Sequence, residues 1–431
     1  MVTFPIDLFL VESDLTPVAD RIEEFYDGLT RWQPAAKKTG MRNAPMMTVT
    51  SDDYEDAARQ INNLFLTNLW GDGLPVIPPD MTRVDWILRG SDRLRYETLG
   101  KIMPRGGIAT VETAAVALAM AGGRPEYFPV LLAALDAILD PEFVHDQWQA
   151  TSGSTFPVVV VNGPIAKEVR LNSGFGLLGP DPQRPAGASI GRAIRFLLQN
   201  VGGALPGVGT MAVFGQMRYT NAVFAEDEER LPEGWLPFAT ERHGFKQNTN
   251  AVSVFVATGA TNIMRRGTGK ETLEQEARES IEKLVDYLKV PNIHYIRGYE
   301  HGTPGGLLLS PISANQLAKL GWSKEKIRNH LWEHSAIPQA DVIRTGLRQW
   351  IEADTHPDTI KTASLDPWPI CRKPENLILL VAGGDHPTHN FWFQGNSRRV
   401  IGRQVDLPGS WQSLLVEADK DLGCASDVCL I

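Results

Sequence analysis

The sequence predicts an α/β fold in which layered helices surround mostly parallel sheets. Apolar, largely β-branched or leucine-rich runs at 156–161 and 377–382 have the composition of buried parallel strands. Helical patterns alternate with such strands along the chain, which favours α/β layers. With 431 residues, the chain is long enough for two or three domains.

The N-terminal half begins with an arm. Proline and charged residues punctuate residues 1–50, which indicates an arm or a peripheral strand and helix. Glycine and proline then mark a loop at 70–79. Strand 156–161 ends at a turn, Asn162-Gly163-Pro164. Helical patterns cover residues 52–69, 111–121, 126–139 and 189–201.

The sequence of the C-terminal half predicts further strands that alternate with helices. No internal sequence repeat is visible. Strands are expected at about 210–214, 219–224, 252–257, 293–297, 306–310 and 377–382. Helices are expected at about 271–288, 312–320, 323–335, 339–352 and 411–422. Pro357, Pro367 and Pro369 indicate a linker. The expected divisions are an arm with a helical segment (1–105), two α/β domains (106–240 and 241–356) and a C-terminal α/β segment with a cysteine tail (370–431).

Composition excludes several classes of function. The 42 basic and 51 acidic residues give a net charge of −9, which argues against nucleic-acid or anionic-membrane partners. No apolar run reaches about 18 residues, so no transmembrane helix is expected. The N-terminus lacks the features of a signal peptide. Three cysteines do not make a disulfide framework, so a cytoplasmic location is expected. We also expect a homo-oligomer.

The C-terminal tail is the first candidate for chemistry. Cys424 and Cys429 stand within the last eight residues, where a chain is normally free to move. Their spacing allows a disulfide loop or two bonds to one transition metal, for which zinc, iron and copper are candidates. The alternative is an exposed tail whose cysteines are incidental. Cys371 is expected to be a buried apolar thiol.

The segment 383–389 is the second candidate, because it follows a predicted buried strand. Ligands of open α/β sheets bind beyond the carboxyl ends of strands. His386 and His389 could act as bases or metal ligands, and Asp385 could orient one of them. A mixed site of these histidines with Cys424 and Cys429 is conceivable. The alternative is a solvated polar loop.

Small polar residues flank the strand at 156–161 and predict a pocket lining. Small side chains and glycines at turns expose backbone N–H groups that suit an anion or a carbonyl oxygen. No phosphate-binding motif matches, so no nucleotide site is predicted, and simple turn chemistry is the alternative. The candidate substrate-binding residues are Gln149, Thr151, Ser152, Ser154, Ser173 and Gly174, with Asn172 as a candidate for holding negative charge.

Two further motifs have structural explanations. His330 and His334 match the H-x-x-E-H pattern of inverted zinc proteases. Apolar residues on the same helix indicate that it packs on a core. Glu300 and His301 could serve as acid or base, although their Gly/Pro-rich surroundings equally describe a surface loop.

Five runs in the sequence resemble a bacterial family whose members occur with, or fused to, thioredoxin-like UGSC-type (seleno)proteins. They are DGLPVIPPD (72–80), RGGIATVETAAVALAMAGGRPEYFPVLLAALDAILDPEF (105–143), VVVVNGPIAKEVRLNSGFGLLGP (158–180), ASIGRAIRFLLQNVGG (188–203) and LGWSKEKIRNHLWEH (320–334). The resemblance implies a bacterial enzyme that uses thiol or selenol redox chemistry, with a thioredoxin-like redox partner. Gly123 stands where members often have cysteine, and the Cys-x4-Cys tail is not a feature of the family.

Three functional hypotheses follow. The first is an enzyme that processes a small polar organic molecule between the 149–155, 172–176 and 383–389 loops. In it, one tail thiolate attacks or reduces, the second resolves it as a disulfide, and His386 or His301 acts as acid or base. The second is a metal-dependent lyase or hydrolase that uses His386, His389 and tail cysteines. The third is a non-catalytic protein that delivers a metal or sulfur.

Overall fold

Nine strands form a two-stranded and a seven-stranded sheet in the described part of the chain. The computed structural model describes residues 12–31, 33, 46–215, 222–289, 298–299, 302–346, 348–349 and 357–423. The strands are β1 (Thr98–Ile102), β2 (Gly107–Thr110), β3 (Phe156–Asn162), β4 (Ala222–Ala225), β5 (Ala251–Met264), β6 (Thr303–Leu309), β7 (Ile378–Val381), β8 (His389–Ser397) and β9 (Ile401–Gln404).

Helices cover both the N-terminal region and the connections between strands. The chain divides into two units, Met1–Ala57 and Ala58–Ile431. No described helix is long and apolar enough to cross a membrane. The α-helices are Thr16–Ala19, Ile22–Thr30, Tyr54–Thr67, Met81–Leu88, Val111–Met120, Phe128–Ile138, His145–Ala150, Ile165–Glu168, Ala186–Phe196, Phe238–His243, Leu273–Leu288, Pro311–Lys319, Lys324–His334, Gln339–Arg344, Pro357–Ala363 and Trp411–Leu422. A π-helical turn, Leu197–Val201, extends one of them.

The strands of the main sheet pair in the same pattern when the sheet is followed inward from its β4 edge or from its β7 edge. Its order is β4-β3-β5-β8-β6-β7, and β9 pairs with β5. β3 is parallel to β4 and antiparallel to β5, and β6 is parallel to β7 and antiparallel to β8. The amide of Glu226 donates to Val161 O (3.1 Å), as the amide of Ala382 does to Leu309 O (3.0 Å). Two halves with the same strand pairing therefore join antiparallel at β5 and β8.

The predicted mixture of helices and strands is confirmed, but a mostly parallel sheet is not. Among the described strands of the main sheet, two pairings are parallel and four are antiparallel. The link from β7 to β8 is only residues 382–388, too short for the crossover that parallel neighbours need. The sequence reasoning missed β8 altogether and placed His389, its first residue, in a loop.

The strand β3 is buried on both faces. In β3, Val159 and Val161 belong to the core beneath the helices, whereas Val158 and Val160 belong to an inner core between the two halves. The inner core includes Phe393, whose ring stacks on Phe224 at 6.2 Å. A strand that is buried on both faces has a continuous run of apolar residues in its sequence. This strand was therefore predictable.

Several predicted boundaries differ from the structure. Residues 210–214 contain only an isolated bridge at Thr210, and Pro357 opens a helix instead of a linker. Proline suits the first turn of a helix, where an amide has no partner to lose. Strand 293–297 lies outside the described residues. The main sheet takes strands from residues 156 to 404, so the three expected α/β divisions are not confirmed.

Candidate functional site

The carboxyl ends of β4 and β7 meet although these strands stand at opposite edges of the sheet. The amide of Asp227 donates to Val381 O (2.8 Å), and the amide of Val381 approaches Glu226 Oε1 at 3.4 Å. The sheet is therefore curled, and this corner brings together segments that follow β3, β4 and β7 with the loop 172–176. We call it the strand-end junction, formed by residues 162–164, 172–176, 226–230 and 383–389.

A buried ion pair stabilises the strand-end junction. The side chains of Glu226 and Lys324 are 0% and 4% exposed, and Lys324 Nζ lies 3.5 Å from Glu226 Oε1. Glu226 Oε2 also accepts from Asn162 Nδ2 (2.8 Å) and the Phe238 amide (2.6 Å). Lys324 donates to Leu236 O (2.7 Å). Sequence reasoning missed this pair; the acidic run directly after an apolar strand was the available signal.

Two of the three predicted loops come together at the junction. The Gly383 amide donates to Ser173 O (2.7 Å), and the Ala225 amide donates to Asn172 O (2.9 Å). Gly384 packs so closely under Phe175 that a Cβ there would overlap the ring. Phe175 is itself 67% exposed, so it presents an apolar surface to solvent beside the polar loop.

Asn172 shapes the loop that contains it. Its Oδ1 accepts from the Gly174 amide (2.8 Å), and its Nδ2 donates to Phe175 O (2.9 Å). The same Nδ2 lies 3.4 Å from Asp181 Oδ2. Because these partners occupy the amide, Asn172 holds the conformation of residues 172–176, and negative charge on a ligand would have to be met by other donors.

The two candidate histidines are neighbours. The rings of His386 and His389 lie 4.5 Å apart in an edge-to-face arrangement. Thr388 Oγ1 lies 3.0 Å from His386 Nδ1, and Asn262 contacts His389 Nδ1. Burial, and then the neighbouring His386, lower the pKa of His389. A neutral imidazole of this kind can accept a proton or a metal.

Asp385 does not orient either histidine. Its carboxylate pairs with Arg230 (2.6 Å), which also pairs with Asp227. Ser310 Oγ instead donates to His386 O (2.9 Å) and fixes the backbone of the loop. The prediction that Asp385 would orient a histidine is wrong, because the nearby guanidinium competes successfully for the carboxylate.

The third predicted loop, 149–155, lies at the other end of β3. Ser154 Oγ accepts from the Phe214 amide (3.0 Å), and Thr151 Oγ1 accepts from the Gly153 amide (3.2 Å). Gln149 Nε2 donates weakly to Leu198 O (3.4 Å), and Ser152 O accepts from Val213 N. The seven residues of β3 span about 20 Å, so these residues do not line one pocket with Ser173 and Gly174.

Of the three cysteines and the candidate pair Glu300 and His301, the structure describes only Cys371. Cys424, Cys429, Glu300 and His301 lie outside the described residues. Cys371 is buried, as predicted, and burial raises the pKa of its thiol.

The H-x-x-E-H helix carries no complete metal centre. His330 and His334 have ring centroids 4.2 Å apart, and His330 Nε2 lies 3.1 Å from Glu282 Oε1. An open depression of about 360 Å³ runs along this helix, lined by Ser323, Glu325, Lys326, Asn329, His330 and Glu333. Across the described ranges, no group of three His, Cys, Asp or Glu side chains is placed to hold a metal.

Comparisons with protein-family models, curated proteins and solved structures found no match for this chain. The resemblance to the UGSC-associated family therefore stays a prediction.

Proposed function

We propose that the protein is an enzyme that acts on a small polar organic molecule at the strand-end junction, using the thiols of its C-terminal tail. The observation that supports this proposal is the anchoring of the tail. Arg170, whose side chain is 6% exposed, pairs with Asp419 (3.0 Å) and donates to the carbonyl oxygens of Leu422 and Gly423. The last described residue is thus held by a side chain two positions before Asn172.

The length of the tail beyond its anchor is consistent with this proposal. Cys424 follows Gly423 directly, and Cys429 is six residues beyond Gly423. An extended chain spans at most about 3.6 Å per residue, so the Cα of Cys429 can lie anywhere within about 21 Å of the anchor. Arginine is well suited to such an anchor, because it binds the last carbonyl groups of a helix and complements the helix dipole.

The junction supplies complementary groups for a small polar ligand. Phe175 offers an exposed ring for an apolar portion, and Arg230 provides a guanidinium flanked by two carboxylates. His386 is the candidate acid or base. The candidate site thus combines apolar contact with a few polar groups, as small-molecule sites do.

In the proposed redox step, one tail thiolate attacks an electrophilic atom of the substrate and displaces a leaving group, which departs with its bonding electron pair. The second thiolate then attacks the first sulfur and forms the Cys424–Cys429 disulfide. The bond between the first sulfur and the substrate breaks, its electron pair stays on the substrate atom, and His386 donates a proton to that atom, so the substrate is reduced by two electrons. A thioredoxin-like dithiol in the cytoplasm returns the tail to its reduced form and is itself oxidised to a disulfide.

The test is equilibration of the full chain with glutathione redox buffers, followed by intact-mass and peptide analysis. We expect a reversible mass loss of about 2 Da that maps to Cys424 and Cys429. Cys371 should stay reduced, because it is buried. In parallel, His386→Asn should shift the pH profile of thiol alkylation by iodoacetamide, whereas His334→Asn should not. A tail that forms no internal disulfide contradicts the redox proposal.

A metal-dependent lyase or hydrolase is the second candidate, favoured by the close pair His386 and His389. Two imidazoles and both tail thiolates would form a four-ligand site for zinc, iron or copper, and a single thiolate would form a three-ligand site with one open position. About one equivalent of metal, lost when the chain is truncated after Gly423, supports this candidate over the redox pair. Bound metal without turnover of any tested substrate supports the third hypothesis, metal delivery.

A further inference from the structure

A buried arginine outside the strand-end junction lacks a counter-ion of its own. Arg195, in the last turn of the helix Ala186–Phe196, is 8% exposed. Within the described part of the chain, its guanidinium makes one hydrogen bond, to Ala204 O at 3.3 Å. A buried guanidinium normally has a carboxylate or several acceptors, because desolvating a charge is costly.

Asp72, the acidic residue whose charge acts on Arg195, is already paired with another arginine. Asp72 forms a bidentate ion pair with Arg192, whose Nε and Nη2 donate to the carboxylate at 2.7 Å and 2.8 Å. Asp72 therefore balances the charge of Arg192, and the three side chains Asp72, Arg192 and Arg195 together carry a net charge of +1. Burial lowers the pKa of Arg195, and the charge of Asp72 partly opposes that effect. An arginine nevertheless stays protonated at neutral pH.

The surroundings of Arg195 favour a ligand-binding role for its unpaired charge. Two glycine-containing segments flank it, 69–75 and 202–209, and the space beside Gly73 and Gly207 is open. The Gln199 side chain stabilises segment 69–75 by donating hydrogen bonds to Leu69 O (3.1 Å) and Gly71 O (2.8 Å). Gln199 itself lies in the π-helical turn Leu197–Val201, and such turns occur frequently at functional sites.

One predicted pocket residue is also found here. Gln149 Nε2 and the Ala204 amide both point to Leu198 O, at 3.4 Å and 3.0 Å. The carbonyl of the same Ala204 accepts from Arg195. Gln149 and Arg195 are therefore linked through the backbone of Leu198 and Ala204, and Gln149 precedes the amino end of β3.

We propose that Arg195 is the anchor of an anion-binding site, which takes the carboxylate or phosphate group of a small molecule between segments 69–75 and 202–209. The planar guanidinium can donate two parallel hydrogen bonds to such an oxyanion. The bound anion would neutralise the +1 cluster. This site is independent of the proposed function of the strand-end junction.

The test is the apparent melting temperature of the full chain in inorganic phosphate, sodium acetate and sodium chloride at equal ionic strength. We expect a saturable rise of about 2–5 °C with phosphate or acetate and none with chloride. A lower half-saturating concentration for phosphate identifies a phosphoryl ligand, and the reverse identifies a carboxylate.

Two variants assign the effect to Arg195. Arg195→Met should abolish the anion-dependent rise, and in chloride it should melt no lower than the wild type, because it removes a charge without a counter-ion. Arg195→Lys keeps the charge without the planar fork and should raise the half-saturating concentration at least about tenfold. Arg399→Gln, a charge change at an exposed ion pair, is the control and should keep the full response. No saturable response in the wild type, or an unchanged response in Arg195→Lys, overturns the proposal.

Discussion

Replacement of Lys324 by methionine is expected to destabilise the protein strongly. The substitution keeps most of the side-chain volume but removes the ammonium group that lies 3.5 Å from Glu226 Oε1 and 3.5 Å from Glu241 Oε2. Glu226 would remain in a fully buried position with the Asn162 amide and the backbone N–H groups of Phe238 and Val381 as its donors.

The expected loss is about 3 kcal/mol in the free energy of unfolding. Breaking a buried ion pair typically costs about 3–5 kcal/mol, because one charge stays buried without its partner. The three remaining N–H donors of Glu226 place this case at the low end of that range. The double variant Glu226→Gln, Lys324→Met should lose less than the sum of the single variants, by about 1–3 kcal/mol, because neither charge is then stranded.

The assay is urea unfolding followed by circular dichroism, with slopes compared among variants so that midpoint shifts can be interpreted. Lys167→Met is the matched control, since Lys167 pairs with Glu229 at 3.0 Å on the exposed surface. That change should cost less than about 1 kcal/mol. A loss below 1 kcal/mol for Lys324→Met, or strict additivity in the double variant, would refute the claim that this pair stabilises the strand-end junction.

Three further predictions concern glycine contacts and pH. Gly305→Ala should cost about 1–3 kcal/mol or more, because its Cβ would overlap the buried Trp392 and adjacent backbone; thermal unfolding would measure this. Gly384→Ala should cost less, since its Cβ meets only the exposed ring of Phe175, and an equal loss would contradict that contact. Burial lowers the pKa of His243 to about 4. Its unfolded form is protonated below about pH 6.5, so stability should fall as pH drops from 6.5 to 4, by about 1–2 kcal/mol after allowance for partial exposure. His243→Gln should flatten that slope in urea titrations, and an unchanged slope would refute the assignment.

Elements with a strong local signal were predictable. The run Phe156–Asn162 is apolar on both faces, and the structure buries it on both faces. The helix Leu273–Leu288 begins with a Thr272 capping box and follows its amphipathic pattern. In both cases the residues that determine the element lie within the element itself.

The pairing of distant elements was not predictable in the same way. The strand β8 has bulky aromatic residues followed by Gly395, and it is stabilised by β5 and β6 on either side. Where the ends of β4 and β7 meet, Glu226 pairs with Lys324, which is 98 residues away in the sequence. The predicted pocket therefore contained one loop too many. Residues 149–155 precede β3 and residues 383–389 follow β7, and the sequence does not reveal the relative direction and position of two strands so far apart.

The most direct test of the central claim is disulfide trapping between the tail and the strand-end junction. A cysteine would be introduced by Ser173→Cys, with Ser152→Cys at the opposite end of β3 as the matched control. After mild oxidation, peptide mapping would identify disulfides to Cys424 or Cys429. The account predicts efficient trapping with Ser173→Cys and little with Ser152→Cys. Equal trapping at both positions, or none at Ser173→Cys, would contradict a tail that acts at this junction.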